Sequence, residues 1–175
     1  MPFLNPAHVR VILTLLVMYC ASWSETVAQE VGAAEDKLAI AEQLAQYSYR
    51  WDSRDADGFA DLFTEAGIME RWHSGALVPG SRVEGRQAIL EYASESHQGR
   101  LADRQTRHHM SALVFVELSA NAAITENMAL ITHQTAADRA PFISESGIYR
   151  NTWKKNSRGW KLAKRVLFAD RFTER

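Results

Sequence analysis

The chain has 175 residues, a formal net charge of −1 and 46% hydrophobic residues, which is sufficient for one domain with a sizeable core. This balanced charge gives no general electrostatic attraction for nucleic acid or for an anionic membrane, so neither is expected as a partner. The only cysteine is Cys20. The domain that follows it therefore has no disulfide framework, cysteine nucleophile or cysteine metal site.

The first 28 residues have the features of a secretory signal peptide. Two basic side chains precede the apolar run VILTLLVMYCASW, which is too short to span a bilayer comfortably, and small residues lead up to Ala28. We expect cleavage after Ala28, export to the periplasm or the medium, and no membrane attachment thereafter. An uncleaved membrane anchor is the alternative. Residues 29–36 are then a loose lead-in, and residues 37–172 form the domain.

The spacing of apolar side chains predicts a first helix over residues 36–52. Its apolar stripe has four members: Ile40, Leu44, Tyr47 and Trp51. Asp52 ends this helix, where a carboxylate opposes the helix dipole at a cost of roughly a few tenths of a kcal/mol. An unfavourable acid beside a stripe that carries a tyrosine hydroxyl is a candidate functional group. A solvated acidic loop is the structural alternative, and the pattern alone does not separate the two.

The remaining patterns predict two more helices and a set of strands. The predicted elements are a helix over 56–64, a strand over 67–73, a loop over 74–82 and a helix over 85–98. Four strands follow, over 107–118, 123–136, 143–155 and 160–170. Three helices followed by an antiparallel meander predict an α+β domain, with the helices packed on one face of a curved sheet.

The strand over residues 107–118 opens with two adjacent histidines, whose side chains must point to opposite faces. His108 shares its face with Met110 and Ala112, a smooth surface suited to a pocket wall. Only one of the pair can face a cavity, and a satisfied core or surface role is expected for His109. The other histidines lack metal-ligand spacing, and no phosphate loop or dinucleotide fingerprint occurs, so neither a metal nor a cofactor is expected.

Two further side chains are ambiguous from the pattern alone. Arg165 lies among small and apolar residues of the last strand, so it either reaches solvent, which is commoner, or meets a buried anion. Tyr47 is by default a core residue with its hydroxyl at the rim. The same default of core packing applies to the tryptophans Trp51 and Trp72.

Four segments together resemble a SnoaL-like domain of the nuclear transport factor 2-like superfamily. They are YSYRWDSRDADGFADLFTE, VEGRQAILEY, RHHMSALVF and YRNTWKKNSRGWKLAKR. The resemblance extends over residues 37–171 and implies a cone of strongly bent antiparallel sheet, closed by helices around a deep pocket. Members of the superfamily include dehydratases, isomerases, a dehydrochlorinase, polyketide cyclases and non-catalytic subunits. The resemblance is therefore more specific for the fold than for the function.

The resemblance also implies a set of pocket residues. The chain resembles the bile-acid 7α-dehydratase, hexachlorocyclohexane dehydrochlorinase and scytalone dehydratase types. In the first two, the positions that match Asp52, His108 and Arg165 belong to the pocket. Tyr47 matches a tyrosine of the bile-acid dehydratase, where the dehydrochlorinase has a lysine. Together these types imply a general base, His108, that Asp52 orients. Tyr47 would donate to an oxyanion or a departing hydroxide, and Arg165 would bind a carbonyl, carboxylate or leaving anion.

The expected function is that of a cofactor-independent lyase or isomerase. It would catalyse a β-elimination (dehydration) or a double-bond shift on a small apolar, cyclic substrate, in a pocket lined by Trp51, Trp72, Met110 and Ala112. The alternative is a non-catalytic periplasmic module that binds a hydrophobic small molecule. A homodimer or homotrimer is also expected, because the sheet commonly supports such assemblies in this superfamily.

Overall fold

The computed structural model describes the backbone of residues 6–170 and the side chains of residues 29–170. The chain divides into two compact units, residues 1–37 and residues 38–175. The first unit is helical from Pro6 onward. Among the described residues, no helix is both long and apolar enough to cross a membrane.

The predicted signal peptide is not tested by this structure. The first five residues, and all side chains up to Ala28, lie outside the described part of the chain. Cleavage after Ala28 and export therefore stay predictions.

The described fold contains three helices and seven strands. The helices are α1 (Pro6–Asp52), α2 (Ala56–Asp61) and α3 (Arg86–Gln98). The strands are β1 (Phe63–His73), β2 (Ala76–Leu77), β3 (Val83–Glu84), β4 (Arg104–Leu118), β5 (Ala122–Thr135), β6 (Phe142–Asn156) and β7 (Gly159–Ala169).

All seven strands form one curved, unclosed sheet in the order β2-β1-β7-β6-β5-β4, with β3 paired to β1. Strands β4 to β7 are the predicted antiparallel meander. Strand β1 pairs in parallel with β7, which brings the first strand of the chain beside the last. The α+β class and the curved antiparallel sheet are thus confirmed.

Three predicted boundaries are wrong. Residues 29–36, predicted as a loose lead-in, are helical and continue directly into the predicted first helix; half of them are alanine or glutamate, which favour a helix. Helix α2 ends at Asp61 instead of residue 64, and β1 begins at Phe63 instead of residue 67. The apolar run predicted as one helix is divided, since the fully buried Phe63 already pairs with Leu162 of β7.

The predicted stripe of α1 is the helix face that packs into the core. Its members are all buried: Ile40, Leu44, Tyr47 and Trp51. Phe59 of α2 is fully buried, and its ring centroid lies 4.9 Å from those of both Tyr47 and Trp51. The packing of α2 therefore fixes the last turn of α1, from which the candidate site is built.

The outer face of the sheet exposes a row of apolar side chains. Met128, Ile148, Phe168 and Trp72 are neighbours in register across β5, β6, β7 and β1. The first three are 57%, 42% and 42% exposed. The expected homodimer or homotrimer stays a prediction.

Phe59 is the most direct test of this packing. We expect Phe59→Ala to lower the free energy of unfolding by about 3–5 kcal/mol, because a fully buried aromatic ring leaves a cavity beneath two others. Urea unfolding measures the change. Phe142→Ala, which truncates a ring that is 44% exposed, is the matched control and should cost about 1 kcal/mol or less. Equal losses in the two variants would contradict this account of the core.

Candidate active site

The end of α1 is held against the start of β4 by two polar side chains. Arg54 has a positive φ of 64°, and its Nη2 donates to three backbone carbonyls in the segment 101–104, at 3.0, 3.1 and 3.0 Å. Gln105 Nε2 donates to the backbone carbonyl of Asp52 at 2.9 Å. These contacts place the carboxylate that ends the helix beside the histidine that opens the strand.

Asp52 and His108 are in direct contact. His108 Nδ1 lies 2.8 Å from Asp52 Oδ1, and the His108 backbone N–H donates to Asp52 Oδ2 at 2.8 Å. The hydroxyl of Thr106 donates to Oδ1 at 2.7 Å. Burial alone would raise the pKa of Asp52, but the hydrogen bonds from His108 and Thr106 outweigh it and hold the pKa below its ordinary value.

An ionised Asp52 decides which nitrogen of His108 carries the proton. A carboxylate can only accept, so the Nδ1 that faces it must be the N–H donor in the neutral imidazole. The lone pair then lies on Nε2, on the other side of the ring. The ring stands edge-on to Tyr47 and Trp51, at centroid distances of 6.1 and 6.2 Å. His108 thus presents a basic nitrogen among aromatic side chains.

Arg165 is a buried cation, only 1% exposed. Its guanidinium lies between two aromatic rings, 3.7 Å from the centroid of Tyr47 and 3.6 Å from that of Tyr149. Its Nη1 donates to Asn151 Oδ1 at 2.5 Å, and its Nε is buried without a hydrogen-bond partner. No carboxylate among the described residues forms an ion pair with it. An incompletely satisfied buried cation is suited to an anion or a polarised carbonyl.

A chain of buried hydrogen bonds fixes the amide that Arg165 contacts. The Nδ2 of Asn151 donates to Thr125 Oγ1 at 3.2 Å and to Asn127 Oδ1 at 3.1 Å. Trp153 Nε1 donates to the same Thr125 hydroxyl at 2.9 Å. Because its nitrogen is engaged in this way, Asn151 must present its oxygen to Arg165. The network holds the guanidinium without neutralising its charge.

The two tyrosines that contact Arg165 keep their protons at neutral pH. Burial raises the pKa of Tyr47, although the nearby Arg165 lowers it in part. Burial raises the pKa of Tyr149 well above its ordinary value, and the neighbouring Tyr47 adds to the shift. Both hydroxyls are therefore hydrogen-bond donors, and Tyr47, which Arg165 polarises, is also a possible proton donor.

These groups line one cavity of about 470 Å³, within the range of small-molecule sites. His108, Tyr47 and Arg165 all contribute to its wall. The wall is mixed, and its apolar and aromatic members include Trp51, Met69, Tyr92, Ile131, Tyr149 and Leu167. Among the described residues, no group of three or more His, Cys, Asp or Glu side chains is arranged to hold a metal ion.

The predicted pocket-lining residues divide into three groups. Trp51 lines the cavity as expected. Met110 and Ala112 instead line a second cavity of about 420 Å³, with His108 in the walls of both. The expectation for Trp72 is wrong: it donates from Nε1 to Glu70 at 3.0 Å and pairs in register with Phe168 on the outer sheet face. Alternation along β1 places Trp72 on the face opposite Met69 and Arg71, which line the cavity.

His109 lies outside the cavity, as the alternation from His108 predicts. Its side chain is exposed, and its Nε2 lies 3.2 Å from Thr132 Oγ1 on the outer face.

His133 is a pocket residue that no local sequence pattern indicates. It lines the same cavity as His108, and its β4 partner in register is Thr106, which bonds Asp52. Burial, then the positive charges of Arg104 and other nearby groups, lowers its pKa. Its imidazole therefore favours the neutral form. Alternation on β5 from an inward-facing Ile131 would have indicated it, but only once the hairpin register was known.

A curved, unclosed sheet packed with helices around a cavity of this kind is the architecture of the nuclear transport factor 2-like superfamily. Residues 32–166 match the SnoaL-like domain family, and the chain belongs to that family. No curated protein matches the chain.

Three solved structures are similar to the chain. The Mycobacterium tuberculosis protein Rv3472, of unknown function, is 29% identical, with a TM-score of 0.66 over 77% of this chain and 72% of that one. A Novosphingobium aromaticivorans protein, provisionally named scytalone dehydratase, is 23% identical, with a TM-score of 0.68 over 83% and 93%. A nuclear transport factor 2-like protein with a cystatin-like fold, also from Novosphingobium aromaticivorans, is 20% identical, with a TM-score of 0.70 over 82% and 87%. At 23% and 20% identity, the similarity to the two Novosphingobium proteins shows a shared fold only.

The lowered pKa of Asp52 predicts an acid-dependent stability. A carboxylate whose folded pKa is below its ordinary 3.8 stabilises the fold above that pH, and the stabilisation is lost as the pH falls through the folded pKa. We therefore expect the free-energy advantage of wild type over Asp52→Asn to shrink on acidification below about 3.8. Urea unfolding at a series of pH values measures it.

The His108→Ala variant locates the cause of that acid dependence. Without the His108 ring, fewer hydrogen bonds hold the carboxylate ionised, so its folded pKa lies closer to 3.8 and the stability lost on acidification should be smaller than in wild type. An advantage of wild type over Asp52→Asn that is constant into strong acid would contradict the prediction.

Proposed function

We propose that the protein is a cofactor-independent lyase or isomerase that uses His108 as a general base on a small cyclic substrate. The observation that carries the proposal is the 2.8 Å contact between His108 Nδ1 and Asp52 Oδ1 at the wall of the cavity. Both side chains are less than 10% exposed. Membership of the SnoaL-like family and the likeness to a protein provisionally named scytalone dehydratase support a catalytic role.

The base would act through Nε2. Abstraction of a proton from carbon beside a carbonyl makes the imidazole positive, and the ionised Asp52 stabilises that charge. The same contact holds the ring in the tautomer with a free lone pair on Nε2, before the substrate binds. Asp52 therefore acts twice, once by orientation and once by charge.

Arg165 and Tyr47, which line the same cavity, would stabilise the developing negative charge and protonate the leaving group. Arg165 stabilises the negative charge that develops on the carbonyl oxygen, from a buried position where such a charge interacts strongly. In a dehydration, the C–H electron pair becomes the new double bond, and the C–O bond of the leaving hydroxyl breaks. Tyr47 protonates the hydroxide as it leaves, so that water departs. Transfer of the proton from His108 to the Tyr47 oxygen through solvent restores both groups.

Proton exchange tests the base even while the substrate is unidentified. Cyclic β-hydroxyketones and enones are incubated with the protein in heavy water, and NMR follows deuterium at the carbon beside the carbonyl. We expect exchange above the spontaneous rate in wild type, and a fall of about 10²–10⁴-fold in His108→Ala and Asp52→Asn.

His109→Ala is the matched control, because it removes the adjacent imidazole from the outer face. It should exchange at the wild-type rate. Unchanged exchange in His108→Ala would refute the proposal, and tight binding without exchange in wild type would favour a binding module instead.

A second pair of variants tests the hydroxyl of Tyr47. Tyr47→Phe keeps the ring that packs on Arg165 but removes the proton donor, so dehydration should slow by about 10²-fold or more while proton exchange persists. Tyr49→Phe, which alters a tyrosine of the same helix that is 71% exposed, should leave both rates unchanged. Product formation is followed by the absorbance of the new conjugated double bond. Equal dehydration rates in wild type and Tyr47→Phe would exclude Tyr47 as the acid.

A further inference from the structure

The cavity has a deep end and a rim, and both are cationic. Arg165 is the deep cation, 1% exposed. Arg100, which follows α3, lines the same cavity with an exposed side chain and is therefore at the rim. The proposed reaction uses Arg165 but leaves Arg100 without a role.

Arg100 contacts only neutral groups among the described residues. Its Nη2 donates to the hydroxyl of Tyr92 at 3.0 Å and to Ser96 Oγ at 3.1 Å, and its guanidinium carbon lies 5.7 Å from the centre of the Tyr92 ring. No carboxylate in this part of the chain pairs with it. The two hydroxyls orient the guanidinium while leaving its charge uncompensated.

The acidic side chains that line the cavity are already paired. Glu145 accepts from Arg71 Nη2 at 2.6 Å. Glu70 accepts from Arg82, and its Oε2 lies 2.9 Å from Lys164 Nζ. These carboxylates are not available to Arg100, so the rim has an excess of positive charge.

The positive charge of Arg100 contributes to the lowered pKa values of two histidines. Burial, then the positive charges of Arg54 and Arg100, lowers the pKa of His97. Arg100 also contributes to the lowered pKa of His133, after burial and the charge of Arg104. A positive potential that disfavours imidazolium favours an anion in the same place.

We propose that the substrate is an acid, whose carboxylate binds Arg100 at the rim while its ring lies between the aromatic walls and its reacting carbonyl reaches Arg165. This inference rests on the proposed function, since it names the substrate class of that site as a cyclic hydroxy or keto acid. The cavity of about 470 Å³ accommodates a molecule of two fused rings with a carboxylate. The substrate is thus apolar in the middle and charged at the outer end.

A pair of probes that differ only in charge tests the rim. Calorimetry compares the binding of 2-naphthoate with that of 2-naphthamide, which has the same rings but no charge. We expect wild type to bind the acid about 3- to 10-fold more tightly at low salt, as for a partly exposed charged hydrogen bond. The preference should decline as salt is added.

Matched variants assign that preference to one residue. Arg100→Gln should abolish it, and Arg100→Lys should retain part of it. Arg107→Gln, which removes the same charge from an exposed side chain outside the cavity lining, should keep it. Equal binding of the two probes by wild type, or a preference that survives in Arg100→Gln, would overturn the proposal. So would a preference that only Arg165→Gln removes, since the acid would then bind at the deep end.

The proposed function and the proposed carboxylate site at Arg100 can be refuted independently of each other. Binding is measured also in His108→Ala, where the base is absent but the rim is intact, and the preference for the acid should persist there. Acid preference without proton exchange in wild type would support the rim site and refute the base. Proton exchange on neutral ketones without acid preference would support the base and refute the rim site.

Discussion

The structure of this site depends on one carboxylate that joins a helix to a strand. Asp52 ends α1, where the helix dipole opposes a negative charge, and yet its pKa is lowered. The compensation comes from β4, which supplies the Thr106 hydroxyl and both the backbone N–H and the ring of His108. Charge-assisted hydrogen bonds of this kind are about twice as strong as neutral ones, so three of them outweigh the dipole. An acid that is unfavourable within its own helix thereby joins the end of α1 to the start of β4.

The other buried charge is Arg165, which lines the same cavity as His108. Both buried charges are held mainly by neutral donors, acceptors and rings, and neither contacts the other. A guanidinium between two tyrosine rings gains cation–π stabilisation, and Asn151 supplies a hydrogen bond without a charge. A direct ion pair would have cancelled the field that each projects into the cavity. The fold keeps them apart because Asp52 lies at the end of α1 and Arg165 is carried by β7.

Features that depend on residues close together in the chain could be predicted from the sequence, whereas features that depend on the pairing of distant strands could not. The α1 stripe and the opposed faces of His108 and His109 are local patterns, and the structure contains both. The pocket prediction for Trp72 is wrong, because alternation defines two faces of β1 but only the parallel pairing with β7 decides which one is inward. His133 escapes prediction for the same reason: it lines the cavity through the β4–β5 register, which no local pattern specifies.

In the proposed chemistry, the negative charge of Asp52 and the positive charge of Arg165 have opposite effects on a protonated His108. A positive site lowers the energy of an oxyanion, but the same field raises the energy of an imidazolium that forms nearby. At an effective dielectric constant near 20, two unit charges about 4 Å apart interact by roughly 4 kcal/mol, and the interaction is inversely proportional to their distance. Asp52 removes the conflict, since it lies against the His108 ring and leaves Arg165 free to act on the substrate. In the proposed mechanism, Asp52 stabilises the protonated His108 while Arg165, which has no bound carboxylate, stabilises the oxyanion.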